Sequence, residues 1–147
     1  MVFLSNSVTD TECIGKELAQ KLSNGGIQRA FIAMRGEMGV GKTAFTRGFA
    51  SYFGFSGVRS PTYAIVNEYV NEKTNIYHFD MYRIEGDEDL YSIGFDDYLE
   101  KDGYIIAEWS ENIEDFLPDD AIFVSISRTE NSDDERLITI IENKEKK

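Results

Sequence analysis

A single cysteine, Cys13, stands among the 147 residues. That excludes an internal disulfide framework and a zinc cluster built on cysteines. No apolar run approaches the ~20 residues of a membrane span. The N-terminus lacks the basic start and apolar stretch of a signal peptide, so a reducing cytoplasm is expected. Basic residues are also scarce: 15 Lys and Arg stand against 27 Asp and Glu, for a formal charge of −12. So few argue against a broad nucleic-acid face, because phosphate backbones are met by clustered Lys and Arg. The acidic surface suits a basic protein partner, or it serves only solubility. Repeats and domain linkers are absent, and the length suits one domain with a real core.

The strongest positive feature is Gly36-Glu37-Met38-Gly39-Val40-Gly41-Lys42-Thr43. It has the G-x-x-x-x-G-K-T pattern of a phosphate-binding P-loop. Ala30 to Arg35, a short apolar run suited to a buried strand, precedes it. Lys42 to Phe53 then reads as a helix, with Gly54 placed to end it. Strand, glycine loop and helix together turn the string into a site. Glycines let successive N–H groups point inward, and the helix N-terminus adds its positive dipole end. Lys42 would reach the β- and γ-phosphates, and Thr43 would offer its hydroxyl to Mg²⁺. An anion site of this kind works through backbone dipoles, one lysine and a metal ion, so an acidic net charge does not oppose it.

The rest of the chain predicts a mixed α/β layout around that loop. Phe3-Leu4 suits a short strand. Ser7 to Asn24 suits a helix, with Ile14, Leu18 and Leu22 as its apolar stripe, Ser7 or Thr9 as cap, and Asn24-Gly25-Gly26 as its end. Ser56 to Tyr63 reads as a polar loop in which Pro61 keeps Ser60 out of helix space. Ala64 to Val70 and Ile76 to Asp80 read as an antiparallel hairpin. Asp87 to Ile93 and Phe95 to Leu99 suggest short helices separated by Gly94, and Tyr104 to Trp109 a buried strand. Ser110 is placed to cap a short helix that Pro118 ends. Ala121 to Ser127 and Arg136 to Ile141 suggest a closing hairpin across the acidic loop Glu130 to Glu135, before a charged, frayed tail from Glu142 to Lys147. The expected fold is thus a single P-loop NTPase-like α/β domain over residues 1–141. Its mixed central sheet would carry antiparallel hairpins and be flanked by helices.

Hydrolysis needs a second acid near the metal and a group to order the attacking water. Two acids end apolar strands, Asp80 and Glu108, at the carboxyl ends where open α/β sheets bind ligands. Glu108 would hold Mg²⁺ through or beside Thr43 and Asp80 would position water, although the two roles are interchangeable at this level. Thr62 lies in the loop after the P-loop helix, where a γ-phosphate-sensing switch belongs. His78, the lone histidine, shares a strand face with Asp80 and reads as a packed, hydrogen-bonded side chain. Arg83 follows Asp80 by three residues. Trp109 suits core packing, partner contact or nucleotide reporting. The N-K-x-D string that reads guanine is absent, which favours ATP.

These motifs resemble, in the same order, those of the TsaE (YjeE) family of small P-loop ATPases. Gly36 to Thr43 is similar to its G-[DE]-L-G-A-G-K-T loop, with Met38 and Val40 in place of Leu and Ala. Ser60-Pro61-Thr62-Tyr63 with Glu68-Tyr69 resembles its S-P-T-[FY]…E-Y segment. His78 to Arg83 resembles H-x-D-x-Y-R, and Glu108-Trp109 its E-W pair. Ser7, Thr11 and Gly15 loosely resemble the start of its N-terminal helix. The resemblance implies ATP and Mg²⁺ as cofactors, with Gly39, Val40, Gly41, Lys42, Thr43 and Ala44 on the phosphates and Gly36 opening the loop. Thr43 and Glu108 would hold the metal, Asp80 would serve hydrolysis, and Thr11, with Arg128, would lie on the adenine side. It implies partnership with TsaB and TsaD in threonylcarbamoyl modification of tRNA, with tRNA met only through that complex and no membrane. A small-molecule kinase and a non-hydrolysing ATP sensor are the rival readings.

Overall fold

The computed structural model describes residues 1–61 and 65–142. The chain begins with β1 (Val2–Ser5) and α1 (Val8–Asn24). Ser7 caps α1, its Oγ accepting the Asp10 N–H at 3.0 Å. Ile14, Leu18 and Leu22 fall on the buried stripe that their spacing predicts. β2 (Arg29–Arg35) leads into the P-loop, and α2 (Lys42–Tyr52) leaves it. The hairpin β3 (Val66–Val70) and β4 (Asn75–Asp80) follows, then α3 (Asp87–Ser92), α4 (Phe95–Leu99) and β5 (Gly103–Glu108). A 3-10 segment, Ser110–Phe116, precedes the closing hairpin of β6 (Ile122–Arg128) and β7 (Arg136–Glu142).

Among the described residues one mixed sheet contains seven strands in the order β1-β7-β6-β2-β5-β4-β3. β2 lies between two parallel neighbours, β6 and β5, and β4 continues the parallel run beyond β5. The two hairpins, β3–β4 and β6–β7, are antiparallel as their short links require. α1 and α2 cover one face over Ile32, Met34, Ile106 and Val124. α3, α4 and the 3-10 segment cover the other over Phe31, Phe79 and Ile105. Alternation along a strand puts His78 and Asp80 on the face of Ile76, and Glu108 on the face of Ile106. All three therefore face the side that carries the P-loop helix.

Two expectations change in detail. Ser110 does not cap the segment after β5. Trp109 holds the cap position with φ of 58°, and the Ser110 hydroxyl instead donates to the Met34 carbonyl at 3.1 Å. A carbonyl reached from β2 outcompetes the local cap, which no local sequence signal reveals. β7 also runs through Glu142, whose carboxylate is buried and pairs with Lys21 at 2.5 Å. Thr62 lies outside the described residues. Among the described residues no helix is long and apolar enough to cross a membrane.

Candidate nucleotide-binding site

The loop between β2 and α2 curls because its glycines take backbone angles that L side chains rarely adopt: φ is 79° at Gly39 and 117° at Gly41. At Gly36 a Cβ would also lie 2.5 Å from the Ile126 carbonyl oxygen and 2.9 Å from Val40 Cγ2. The side chains of Val40 and Ala44 are buried in the core, which leaves main-chain N–H groups as what these positions can offer an anion.

Beside the loop lies a cleft of about 420 Å³, lined among others by Gly39, Lys42, Thr43, Asp80, Glu108 and Trp109. A larger hollow of about 620 Å³ sits at the opposite end of the sheet, near Gln28, Asn71 and Asp102. The smaller one is the candidate site, because it opens at the carboxyl ends of β2, β4 and β5 and sets Asp80 and Glu108 beside the P-loop residues Lys42 and Thr43.

Strand register assembles the acids. β4 and β5 run parallel with Asp80 opposite Glu108. Glu108 is 5% exposed. Its Oε2 accepts from Thr43 Oγ1 at 3.4 Å and meets His78 Nε2 at 2.6 Å. Asp80 Oδ1 accepts the Tyr82 N–H at 3.0 Å, while the Asp80 N–H donates to the Ile65 carbonyl at 2.8 Å. Ile65 and Trp109 are the non-glycine residues with positive φ among those described, at 70° and 58°. A β-branched residue and an indole held there carry local strain of order 1–3 kcal/mol each. Each adjoins one of the site's acids, Ile65 through a hydrogen bond to Asp80 and Trp109 in sequence after Glu108.

Lys42 is 5% exposed and turns inward. Its Nζ donates to the Gly36 carbonyl at 2.6 Å and lies 4.1 Å from the centre of the Trp109 ring. Burial pushes its pKa below the ordinary value, while the charges of Glu108, Glu111 and Asp80 pull it back up. Tyr82 packs edge-on against Trp109 at 5.0 Å.

Thr11 is buried against the loop. A Cβ on Gly41 would lie 3.7 Å from the Thr11 methyl, and the Thr11 hydroxyl is shared with Ser5 Oγ at 2.7 Å. Arg128 lies across the loop from outside, donating to Glu37 Oε2 at 3.0 Å and to the Met38 carbonyl at 3.2 Å. Arg136 does the same one turn of the loop further, its Nε donating to the Val40 carbonyl at 3.0 Å. Sequence reasoning passed over Arg136 and the His78–Glu108 contact. The available signal was parity: Arg136 shares a strand face with buried Ile138 and Ile140, and His78 with Ile76. A charged or polar residue on a core-facing register has a partner there.

The donor set suits a hard divalent cation, since Thr43 and Glu108 present oxygens to one point. Among the described residues no group of three or more His, Cys, Asp or Glu side chains gathers to hold a metal ion unaided. The other positions around the cation would fall to phosphate oxygens and water, as Mg²⁺ prefers.

Comparison with known proteins supplies the family. The model of the family described as threonylcarbamoyl adenosine biosynthesis protein TsaE matches residues 5–138. The chain is 39% identical over 129 residues to a Haemophilus influenzae tRNA threonylcarbamoyladenosine biosynthesis protein TsaE, covering 86% of this chain and 80% of that one. It is 36% identical over 131 residues to the Bacillus subtilis protein of the same description, covering 88% and 78%. Among solved structures, the crystal structure of Bacillus subtilis YdiB superposes with a TM-score of 0.76 at 29% identity, covering 95% of this chain and 83% of that one. A P-loop that follows a strand set between parallel neighbours, two acids brought level by strand register, and these matches along nearly the whole length lead to one assignment: the chain belongs to the TsaE family of tRNA threonylcarbamoyladenosine biosynthesis.

Proposed function

We propose that the chain is a Mg²⁺-dependent ATPase subunit that supports the TsaB–TsaD pair in threonylcarbamoyl modification of the adenosine beside the anticodon, without itself transferring the group. The observation that carries this reading is the convergence of Thr43 and Glu108 at 3.4 Å beside the P-loop, with Asp80 in register next to Glu108. Main-chain N–H groups from Gly39 to Ala44 and the start of α2 receive the triphosphate. Lys42 leaves the Gly36 carbonyl for the β- and γ-phosphate oxygens. Thr43 and Glu108 hold Mg²⁺, which when bound neutralises charge on those oxygens. Asp80, anchored through its own backbone to Ile65, orients the attacking water. Thr11 and Arg128 flank the nucleoside end.

The test is ATP hydrolysis by the purified chain with and without TsaB–TsaD. Partners are expected to stimulate turnover, Lys42→Ala to abolish it, and Asp80→Asn or Glu108→Gln to lower it about 100-fold or more. Phosphate delivered to a metabolite instead of water would make the chain a kinase. Partner affinity that responds to nucleotide equally in wild type and Asp80→Ala would make it a sensor.

A further inference from the structure

We propose that His78 is a positioning residue for the metal carboxylate: through Nε2 it fixes the rotation of Glu108, and so sets how tightly the site holds its divalent cation. The inference rests on the Mg²⁺–nucleotide reading above and concerns a side chain one layer below the cleft.

His78 is fully enclosed, with no exposed surface. It stands on the same face of β4 as Asp80, one pleat deeper, where its register partner on β5 is Ile106. On that face it lies among the buried Ile76 and Ile106, with Asn67 as its register partner on β3. Nε2 lies 2.6 Å from Glu108 Oε2, and Nδ1 is buried with no hydrogen-bond partner among the described residues. A leucine or phenylalanine would fill this layer without leaving a buried nitrogen unpaired, so packing alone does not account for an imidazole there. All of the ring's hydrogen bonding goes to one carboxylate oxygen.

That oxygen is the one Thr43 reaches. The Thr43 contact, at 3.4 Å, is longer than a good hydroxyl–oxygen bond and cannot by itself hold a side chain with three rotatable bonds. The short contact to His78 therefore decides where the carboxylate points. Groups that orient a metal ligand act on metal affinity through that ligand. His78 does not touch nucleotide, since Glu108 lies between it and the cleft.

The experiment is a calorimetric titration of ATP binding with EDTA and across a Mg²⁺ series, for wild type and His78→Phe. His78→Phe is expected to bind ATP in EDTA within about twofold of wild type, yet to need about 10- to 100-fold more Mg²⁺ for the gain that the metal brings. A Mg²⁺ series that overlays that of wild type overturns the proposal. Should the phenylalanine variant fail to fold, His78→Gln and His78→Asn decide. Glutamine places an N–H donor where Nε2 stands, whereas asparagine is too short to reach Glu108. A wild-type-like series in the first and a weakened one in the second supports the positioning role, and equal series overturn it. If wild type itself gains nothing from Mg²⁺, the reading of the cleft fails rather than the role of His78 within a working site.

Discussion

The Lys42 ammonium is held away from water by the Gly36 carbonyl and the Trp109 ring. Desolvation is the largest influence on it and outweighs the attraction of Glu108, Glu111 and Asp80, so its pKa falls below 10.5. Between that lowered value and 10.5 the unfolded chain binds the proton that the folded chain has released. Stability therefore rises with pH through this window, and below it the full cost of the buried charge remains. Lys42→Met removes that cost together with the proposed phosphate partner. The nucleotide-free variant is expected to gain on the order of 1 kcal/mol, about 2–4 °C in melting temperature, while ATP binding is lost. Scanning calorimetry with a parallel binding titration checks both. A variant that melts below wild type would mean that the Gly36 bond and the indole contact outweigh desolvation. The same balance explains why the residue was easy to find and its resting place was not. The G-K-T string announces a lysine, but an aromatic seat supplied by a left-handed Trp109 comes from the strand-to-turn geometry after β5.

α1 and α2 approach through backbone at two glycines. A Cβ on Gly15 would overlap the Phe45 carbonyl, and one on Gly48 would overlap the Glu12 backbone. Neither glycine has a positive φ, so closeness and not conformation calls for them. The contact sets where α2, and with it Lys42 and Thr43, sits over the sheet. Gly48→Ala is expected to destabilise by about 1–3 kcal/mol net of alanine's better helix propensity, because backbone cannot rotate aside. Each kcal/mol corresponds to about 2–4 °C at this chain length, read by thermal melting of the variant. An unchanged melting temperature would mean that the helices separate freely. Elements of this kind were legible from periodicity and punctuation: Ser7 and Gly25 bracket α1, and Asn71 to Thr74 turn the first hairpin. What pattern alone could not supply was long-range registry. The pairing of Asp80 with Glu108, the reach of His78 to Glu108, and the grip of Arg136 on Val40 all depend on which strands neighbour which. Local sequence leaves that order open.

At the scale of the whole molecule, the proposed anion site belongs to a chain of net charge −12. The two are compatible because the positive potential of such a site comes from main-chain N–H groups and a helix end, which net charge does not count. The surrounding field still acts on anything that approaches from a distance. A tRNA brings a dense row of phosphates, and a protein that binds it through Lys and Arg gains about 10³- to 10⁵-fold in affinity when salt falls from roughly 200 to 50 mM. This chain, although it belongs to a tRNA-modification family, is expected to show no such gain, because at low salt screening weakens and repulsion between like charges lengthens its reach. Filter binding of labelled tRNA to the chain alone, across that salt range, is the measurement. Flat or absent binding places recognition of the tRNA on other components. A steep rise at low salt would instead require that the 15 basic residues gather on one face despite the acidic total. That face would then make the chain an RNA-contacting subunit in its own right, rather than one whose acidic surface meets protein.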